Sequence, residues 1–202
     1  DKSYVLPPNL EKIGQRAMIS VEQLVALVED LLTVSRFERG KIEIFPRPVH
    51  LEDTLEESCN QFKASAEDHN LQLIYEKPLN PPPKVIVDPD KMREVFNNLI
   101  SNGIKYTEKG SVTVRTEIRK RDLVIVITDT GTGVSPDDLP KLFTRFGRLK
   151  RTISVKGTGL GLYITRLIIE AHKGKISADS QLGKGTIFYV SLPIPKMEEN
   201  PS

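Results

Sequence analysis

The chain has 202 residues, 38% hydrophobic and 28% charged, enough apolar material for one large domain with or without a smaller element beside it. A formal net charge of +2, with basic runs no longer than Arg119-Lys120-Arg121 or Lys150-Arg151, argues against nucleic acid as the partner. The single cysteine, Cys59, leaves no internal disulfide and reads as a small packing residue; no apolar run approaches the ~18 residues of a membrane span, and no signal peptide is visible.

Residues 1–8 read as an entry linker ending in Pro7-Pro8, and Asn9 is positioned to cap a helix from Leu10. Leu10, Ile13, Ala17, Ser20, Leu24, Leu27, Leu31 and Val34 then step by threes and fours, a heptad seam. Val21, Val28 and Leu32 add a second apolar stripe, so this helix requires a partner helix, from other sequence or from a second copy. Gly40 can end it. Lys41–Phe45 alternates as a short strand before Pro46 and Pro48. Leu51–His69 reads as an amphipathic helix, Leu71–Tyr75 as a strand, residues 80–83 as a stiff proline connector, and Val85–Val87 as a short strand. Asp88 or Asp90 starts a further helix. Strands follow at Ser111–Ile118 and Leu123–Thr128, a helix at Ser135–Phe146 and another at Gly159–His172. Lys175–Ser180 and Thr186–Leu192 pair as a hairpin. Adjacent strands of this kind predict a mixed or antiparallel sheet with helices on one face.

Three stretches carry polar chemistry. In Met92–Thr107, Glu94, Asn98 and Asn102 recur every fourth residue, with Lys105 and Tyr106 in the next turn; they form one stripe on an otherwise apolar helix. Amide and carboxylate oxygens suit Mg²⁺ and a lysine suits phosphate, although a solvated helix face would look similar. Asp129-Thr130-Gly131-Thr132-Gly133 follows directly on an apolar strand: the carboxylate can accept from an exocyclic amine and the glycines admit a flat ring, or the segment is simply a turn. Gly157-Thr158-Gly159-Leu160-Gly161-Leu162 opens a helix, where backbone amides and the dipole favour an anion; close helix packing is the alternative use of such glycines. Between these loops, Phe143, Phe146, Arg148, Lys150, Arg151 and Lys156 suit a lid over a nucleotide.

Taken in order, these stretches resemble the catalytic ATP-binding domain of sensor histidine kinases, within the superfamily shared with gyrase, the heat-shock chaperone and mismatch-repair ATPases. Asn98-x-x-x-Asn102-x-x-Lys105-Tyr106 resembles the N box, Asp129-x-Gly131-x-Gly133 the G1 box, Phe143-x-x-Phe146 the F box, and Gly157-x-Gly159-x-Gly161 the G2 box. The resemblance covers roughly residues 45–195, and the preceding helix is similar to the second helix of the family's dimerisation hairpin. It implies a Bergerat-type α/β sandwich, a mixed sheet with helices on one face, preceded by one long amphipathic helix. The implied division is a partial dimerisation and phosphoacceptor domain at 1–40, the catalytic domain at 41–195 and a tail at 196–202. The implied cofactors are ATP and Mg²⁺. Asn98 and Asn102 would serve the metal, Lys105 phosphate, and Tyr106 the nucleotide face. Asp129 would recognise the adenine amine beside Gly133, with Thr186 reaching adenine through water. Arg148 and Lys156 would approach the terminal phosphate, making Asn98, Lys105 and Arg148 the expected catalytic set. Departures are Gly103 where alanine is usual, Thr132 and Val134 for isoleucines, and Gly147 for an aromatic. Gly103 is expected to loosen its helix by ~1 kcal/mol relative to alanine.

The three histidines, His50, His69 and His172, read as structural and none resembles the family's acceptor motif. The chain opens on Asp1 and is expected to be a piece of a longer protein whose acceptor histidine stands on an upstream helix. The expected function is transfer of the ATP γ-phosphate to that histidine. Expected partners are a second copy in the intact parent, the phosphoacceptor helix and a response-regulator receiver domain, with neither nucleic acid nor membrane contact. The expected location is the cytoplasm, with room for a membrane anchor in the parent. Two alternatives stay open: an ATP hydrolase of the same superfamily, for which Glu94 would activate water, and a non-catalytic nucleotide-binding module for dimerisation or signalling.

Overall fold

A computed structural model describes residues 8–40, 43–147 and 158–195. Helix α1 (Pro8–Glu38) starts before the expected Leu10: Pro8 occupies the first turn, where a missing N–H costs nothing, and Asn9 lies inside the helix instead of capping it. Gly40, at φ +62°, closes the end by donating to the Phe37 carbonyl.

The strand expected at Lys41–Phe45 does not form over 43–45, and residues 41 and 42 lie outside the described residues. The chain pairs later, through β1 (Arg47–Val49), antiparallel to β3 (Val85–Val87), with Pro48 opposite Ile86. In a two-stranded sheet each strand has one unpaired edge, so a proline there forfeits no ladder bond. The Phe45 N–H, just before it, is taken by the Asp88 carboxylate at 2.9 Å.

The main sheet has the order β2-β4-β5-β7-β6, built from β2 (Leu71–Glu76), β4 (Gly110–Arg119), β5 (Asp122–Asp129), β6 (Lys175–Gln181) and β7 (Gly185–Pro193). Strands β2 and β4 run parallel and the other pairs antiparallel, so the sheet is mixed. Helices α2 (Leu51–Asp68), α3 (Pro89–Tyr106) and α4 (Gly161–Ala171) bury their apolar stripes against one sheet face, where Val112, Val114, Leu123, Ile125, Ile127, Val190 and Leu192 meet Leu55, Phe96, Leu99 and Ile168. In α3 the buried positions Met92, Val95, Phe96, Leu99, Ile100, Gly103 and Ile104 follow the helical period and leave the Glu94-Asn98-Asn102 stripe off the core. Cys59 is buried on α2, and desolvation pushes its thiol up to about 11.

Strand β5 is buried on both faces although only one carries helices: Val124 and Val126 are 2% and 1% exposed. Their cover comes from neighbouring strands. Arg115 and Arg119 both pair with Glu117, and the Arg119 guanidinium lies 4.8 Å from the Tyr189 ring centroid. Register puts Arg115 and Tyr189 on either side of Val126. Register sets these long side chains beside the central valines, which stems of that length are able to cover.

Two further helix expectations differ from the structure. Ser135–Phe146 contains a single 3-10 turn at Leu139–Lys141. Pro140 sits inside it without an N–H to donate, so the turn is not extended into an α-helix, and the segment leaves through Phe146 at φ +57°. Helix α4 begins at Gly161 and not at Gly159, because Gly159 holds φ +75°, outside helical geometry.

Helix α1 rests on the α4 side of the domain. Val34 is its fully buried anchor, with Leu27 and Phe37 partly buried beside it. Its other apolar residues, among them Ile13, Met18, Val21 and Leu24, are exposed. No described helix is long and apolar enough to cross a membrane.

Candidate functional site

Helix α3 is set by its N-terminus. Asp88 caps it by accepting from the N–H groups of Asp90 and Lys91, and Pro89 follows in the first turn. Asp88 is also tied to the end of α4: its own N–H donates to His172 Nε2 at 3.0 Å, and His172 Nδ1 donates to the Ile168 carbonyl at 2.7 Å. Both ring nitrogens of His172 are therefore engaged, which fixes its tautomer and makes it a brace between α3 and α4. Burial would raise the Asp88 carboxyl, but the Phe45, Lys91 and Asp90 N–H groups and nearby His172 outweigh it and hold it below the usual range.

So braced, α3 and α4 form two walls of a cavity of about 350 Å³. Asn98, Asn102, Lys105 and Tyr106 line it from α3, Asp129 from the end of β5, Thr132, Gly133 and Val134 from the loop after it, and Thr186 and Phe188 from β7. Thr158, Gly159, Gly161 and Leu162 complete the opposite side, with Leu142 and Gly147 from the segment between. Residues drawn from five separate stretches of sequence thus share one space.

Asp129 is buried, and its Oδ1 accepts from the N–H groups of Gly131 at 2.9 Å and Thr186 at 3.2 Å. Desolvation pushes its carboxyl above the ordinary aspartate range, and those two bonds pull it partly back. With Oδ1 engaged twice, Oδ2 is left for a donor within the cavity. Gly133, at φ +65°, could not be replaced: a Cβ there would lie 2.1 Å from the Gln181 carbonyl oxygen. Ser180 seals the same junction, accepting from Val134 N–H at 2.8 Å and donating to the Gly185 carbonyl at 2.8 Å.

Across the cavity the two asparagines form a chain. Asn102 Nδ2 donates to Asn98 Oδ1 at 3.4 Å, and Asn98 Nδ2 donates to Thr165 Oγ1 on α4 at 2.7 Å. Their oxygens are neutral, and among the described residues no three His, Cys, Asp or Glu side chains gather into a metal site. A cation held here would complete its shell with oxygens from an anionic ligand and water. That donor set fits Mg²⁺ accompanying a phosphate. Lys105 Nζ stands 5.0 Å from the Tyr106 ring centroid, at the end of the same stripe.

Gly131 contributes its N–H to Asp129 and does not line the cavity. Leu160 is fully buried, a core residue beneath the loop rather than a wall of the cavity. Arg148, Lys156 and Gly157 lie outside the described residues. Phe143 packs edge-on against Phe188, centroids 6.3 Å apart at 76°, which moors the intervening segment to the sheet. Glu94 pairs with Lys91 at 2.9 Å and does not line the cavity. Ser101, Leu142, Leu162, Thr165 and Phe188 were not distinguishable from ordinary core or helix-face residues in the sequence; only their placement against the polar stripe gives them significance.

The sequence profile of the histidine kinase-, DNA gyrase B- and HSP90-like ATPases matches residues 87–196, more than half of the chain. The chain belongs to that family. It is 31% identical over 206 residues to the sensor histidine kinase GacS of Pseudomonas protegens, a match that covers 98% of this chain and 22% of GacS. Full-length ShkA, solved in complex with AMPPNP, superposes with a TM-score of 0.78 at 25% identity, covering 95% of this chain and 40% of ShkA. The Acinetobacter baumannii histidine kinase AdeS superposes with a TM-score of 0.74 at 25% identity, covering 96% of this chain and 89% of that one. The chain spans less than a quarter of the length of GacS.

Proposed function

We propose that this chain is the ATP-binding catalytic module of a two-component sensor kinase, passing the γ-phosphate of ATP to a histidine imidazole on a helix outside the chain. The observation that carries this reading is the meeting, in one cavity, of a buried carboxylate and an amide-and-lysine stripe with a glycine-led helix start. Asp129 Oδ2 would accept from the adenine amine, while Tyr106 packs against the nucleotide and Thr186 reaches adenine through water. Lys105 and the amides at the start of α4 would hold phosphate oxygens, a use to which a helix N-terminus is suited. Asn98 and Asn102 would hold Mg²⁺. That ion, when bound, supplies charge neutralisation on the transferring phosphoryl group. Arg148 and Lys156 would approach the terminal phosphate.

The exposed apolar length of α1 supports a partner helix, in our reading the first helix of a dimerisation hairpin and its copy in a homodimer, making 1–40 part of that unit and 41–195 the catalytic domain. A response-regulator receiver domain would accept the phosphoryl group next, in the cytoplasm. The ion pair of Glu94 with Lys91, outside the cavity, speaks against its acting as a hydrolase base. The test is incubation of this chain with γ-labelled ATP, Mg²⁺ and a separately produced histidine-bearing helical domain. Acid-labile, base-stable label on that domain is expected. Steady phosphate release with no transfer, abolished in Glu94→Ala, would support the hydrolase instead.

A further inference from the structure

We propose that Thr165 is a positioning residue for the divalent cation: its hydroxyl holds the Asn98 carboxamide with Oδ1, and not Nδ2, presented along the cavity wall. The inference rests on the cation-and-phosphate reading above. A carboxamide is nearly symmetric in shape but opposite in chemistry at its two ends. Only the oxygen can ligate a cation, so whatever fixes the rotation of Asn98 decides whether the site is ready.

Two hydrogen bonds hold it in this sense, the one to Thr165 being the shorter. Asn98 Nδ2 donates to Thr165 Oγ1 at 2.7 Å, and Thr165 is 1% exposed, so water does not compete for that bond. Asn102 Nδ2 donates to Asn98 Oδ1. Gly161, one turn before Thr165 on α4, leaves room for the carboxamide as a whole: a Cβ there would lie 2.6 Å from Asn98 Oδ1 and 3.2 Å from Nδ2. Because Asp88 and His172 join the same two helices independently, removing the Thr165 hydroxyl leaves the helices braced and frees the carboxamide alone.

Calorimetry of AMPPNP binding to the full chain, in Mg²⁺ and in EDTA, tests this. Wild type is expected to bind more tightly in Mg²⁺. Thr165→Val, close in shape, and Thr165→Ala, which cannot crowd the site, should each lose roughly ten- to a hundredfold of that gain. Their affinity in EDTA should stay within about twofold of wild type, and Thr165→Ser, which keeps the hydroxyl, should retain the gain. Full Mg²⁺ dependence in both Val and Ala variants would overturn the proposal. So would an equal loss with and without Mg²⁺, or a serine variant that behaves like valine. Wild type binding equally in Mg²⁺ and EDTA would overturn the cation reading itself and the proposal with it, so the two failures appear in different proteins.

Discussion

Thr158 Oγ1 donates to the Asp30 carboxylate at 2.6 Å, joining the cavity rim to helix α1 across 128 residues of sequence. Thr158 lines the cavity and also accepts from the Leu160 N–H at 3.3 Å, so one hydroxyl links α1 to the turn that starts α4. Glu38 on α1 makes a second tie, to Arg145 at 2.5 Å. Burial pushes the Asp30 carboxyl upward, the Thr158 bond opposes this, and Glu94 and Glu29 add repulsion. On the ATP reading proposed above, a carboxylate so placed would repel an arriving triphosphate while its bond to Thr158 restrains a wall of the cavity. Asp30→Asn removes the charge and is expected to tighten AMPPNP binding about threefold, the scale of a partly screened interaction of roughly 0.7 kcal/mol. Weaker binding in calorimetry would contradict the repulsion.

The Asp88 cap makes a pH-dependent contribution. Its folded pKa is depressed, so the stabilisation is fully present above the ordinary aspartate value and is lost as pH falls through the lower folded one. Asp88→Asn keeps one oxygen for the Asp90 and Lys91 N–H groups but turns an NH2 toward the Phe45 N–H, so it should cost ~1–2 kcal/mol at neutral pH, and the difference in melting temperature should shrink in acid. A gap that is constant with pH would leave the charge without a role.

Glu52 has the opposite sign. It is 5% exposed and neither carboxylate oxygen meets a hydrogen-bond donor of another residue; the Tyr75 hydroxyl is likewise buried and unpartnered. Desolvation raises the Glu52 carboxyl despite its own backbone N–H, His50 and Lys77. A raised folded pKa means stability is fully present below the ordinary glutamate value and declines as pH rises through the folded one. Glu52→Gln should therefore stabilise the domain by ~1 kcal/mol at neutral to alkaline pH and not below the ordinary range. Thermal melts across pH check this, and destabilisation at pH 8 would contradict it.

Gly103 invites alanine on propensity alone, by ~1 kcal/mol. A Cβ there, however, would stand 3.1 Å from both methyl groups of Val112, a fully buried β-branched residue of β4 with little freedom to withdraw. Gly103→Ala is expected to gain nothing in thermal stability by itself. The clear gain that helix propensity predicts would show that the sheet yields more readily than this packing suggests.

Local pattern was legible where chemistry and period coincide. Helix α3, its Asp88 cap and the Asp129 turn lie in single stretches, and the β4–β5 and β6–β7 pairs are adjacent in sequence. The resemblance of the boxes brought in the sandwich. What escaped was decided by distant partners. The parallel pairing of β2 with β4 and the antiparallel pairing of β5 with β7 join strands separated by other elements. Thr165, Asp30 and His172 look like ordinary helix residues until α4 is laid beside α3 and α1. The helix expected at Ser135–Phe146 failed for a local reason, Pro140, and the early strand failed because the pairing register with β3 begins only at Arg47.

The central claim is that Asp129 faces a purine in the cavity it shares with Asn98. Calorimetric titration of the full chain with AMPPNP and Mg²⁺, wild type beside Asp129→Ala, with circular dichroism to verify the fold, tests it most directly. A loss of roughly thirtyfold or more is predicted, corresponding to a charge-assisted hydrogen bond of ~2–3 kcal/mol. Undiminished affinity in a folded Asp129→Ala chain would contradict it.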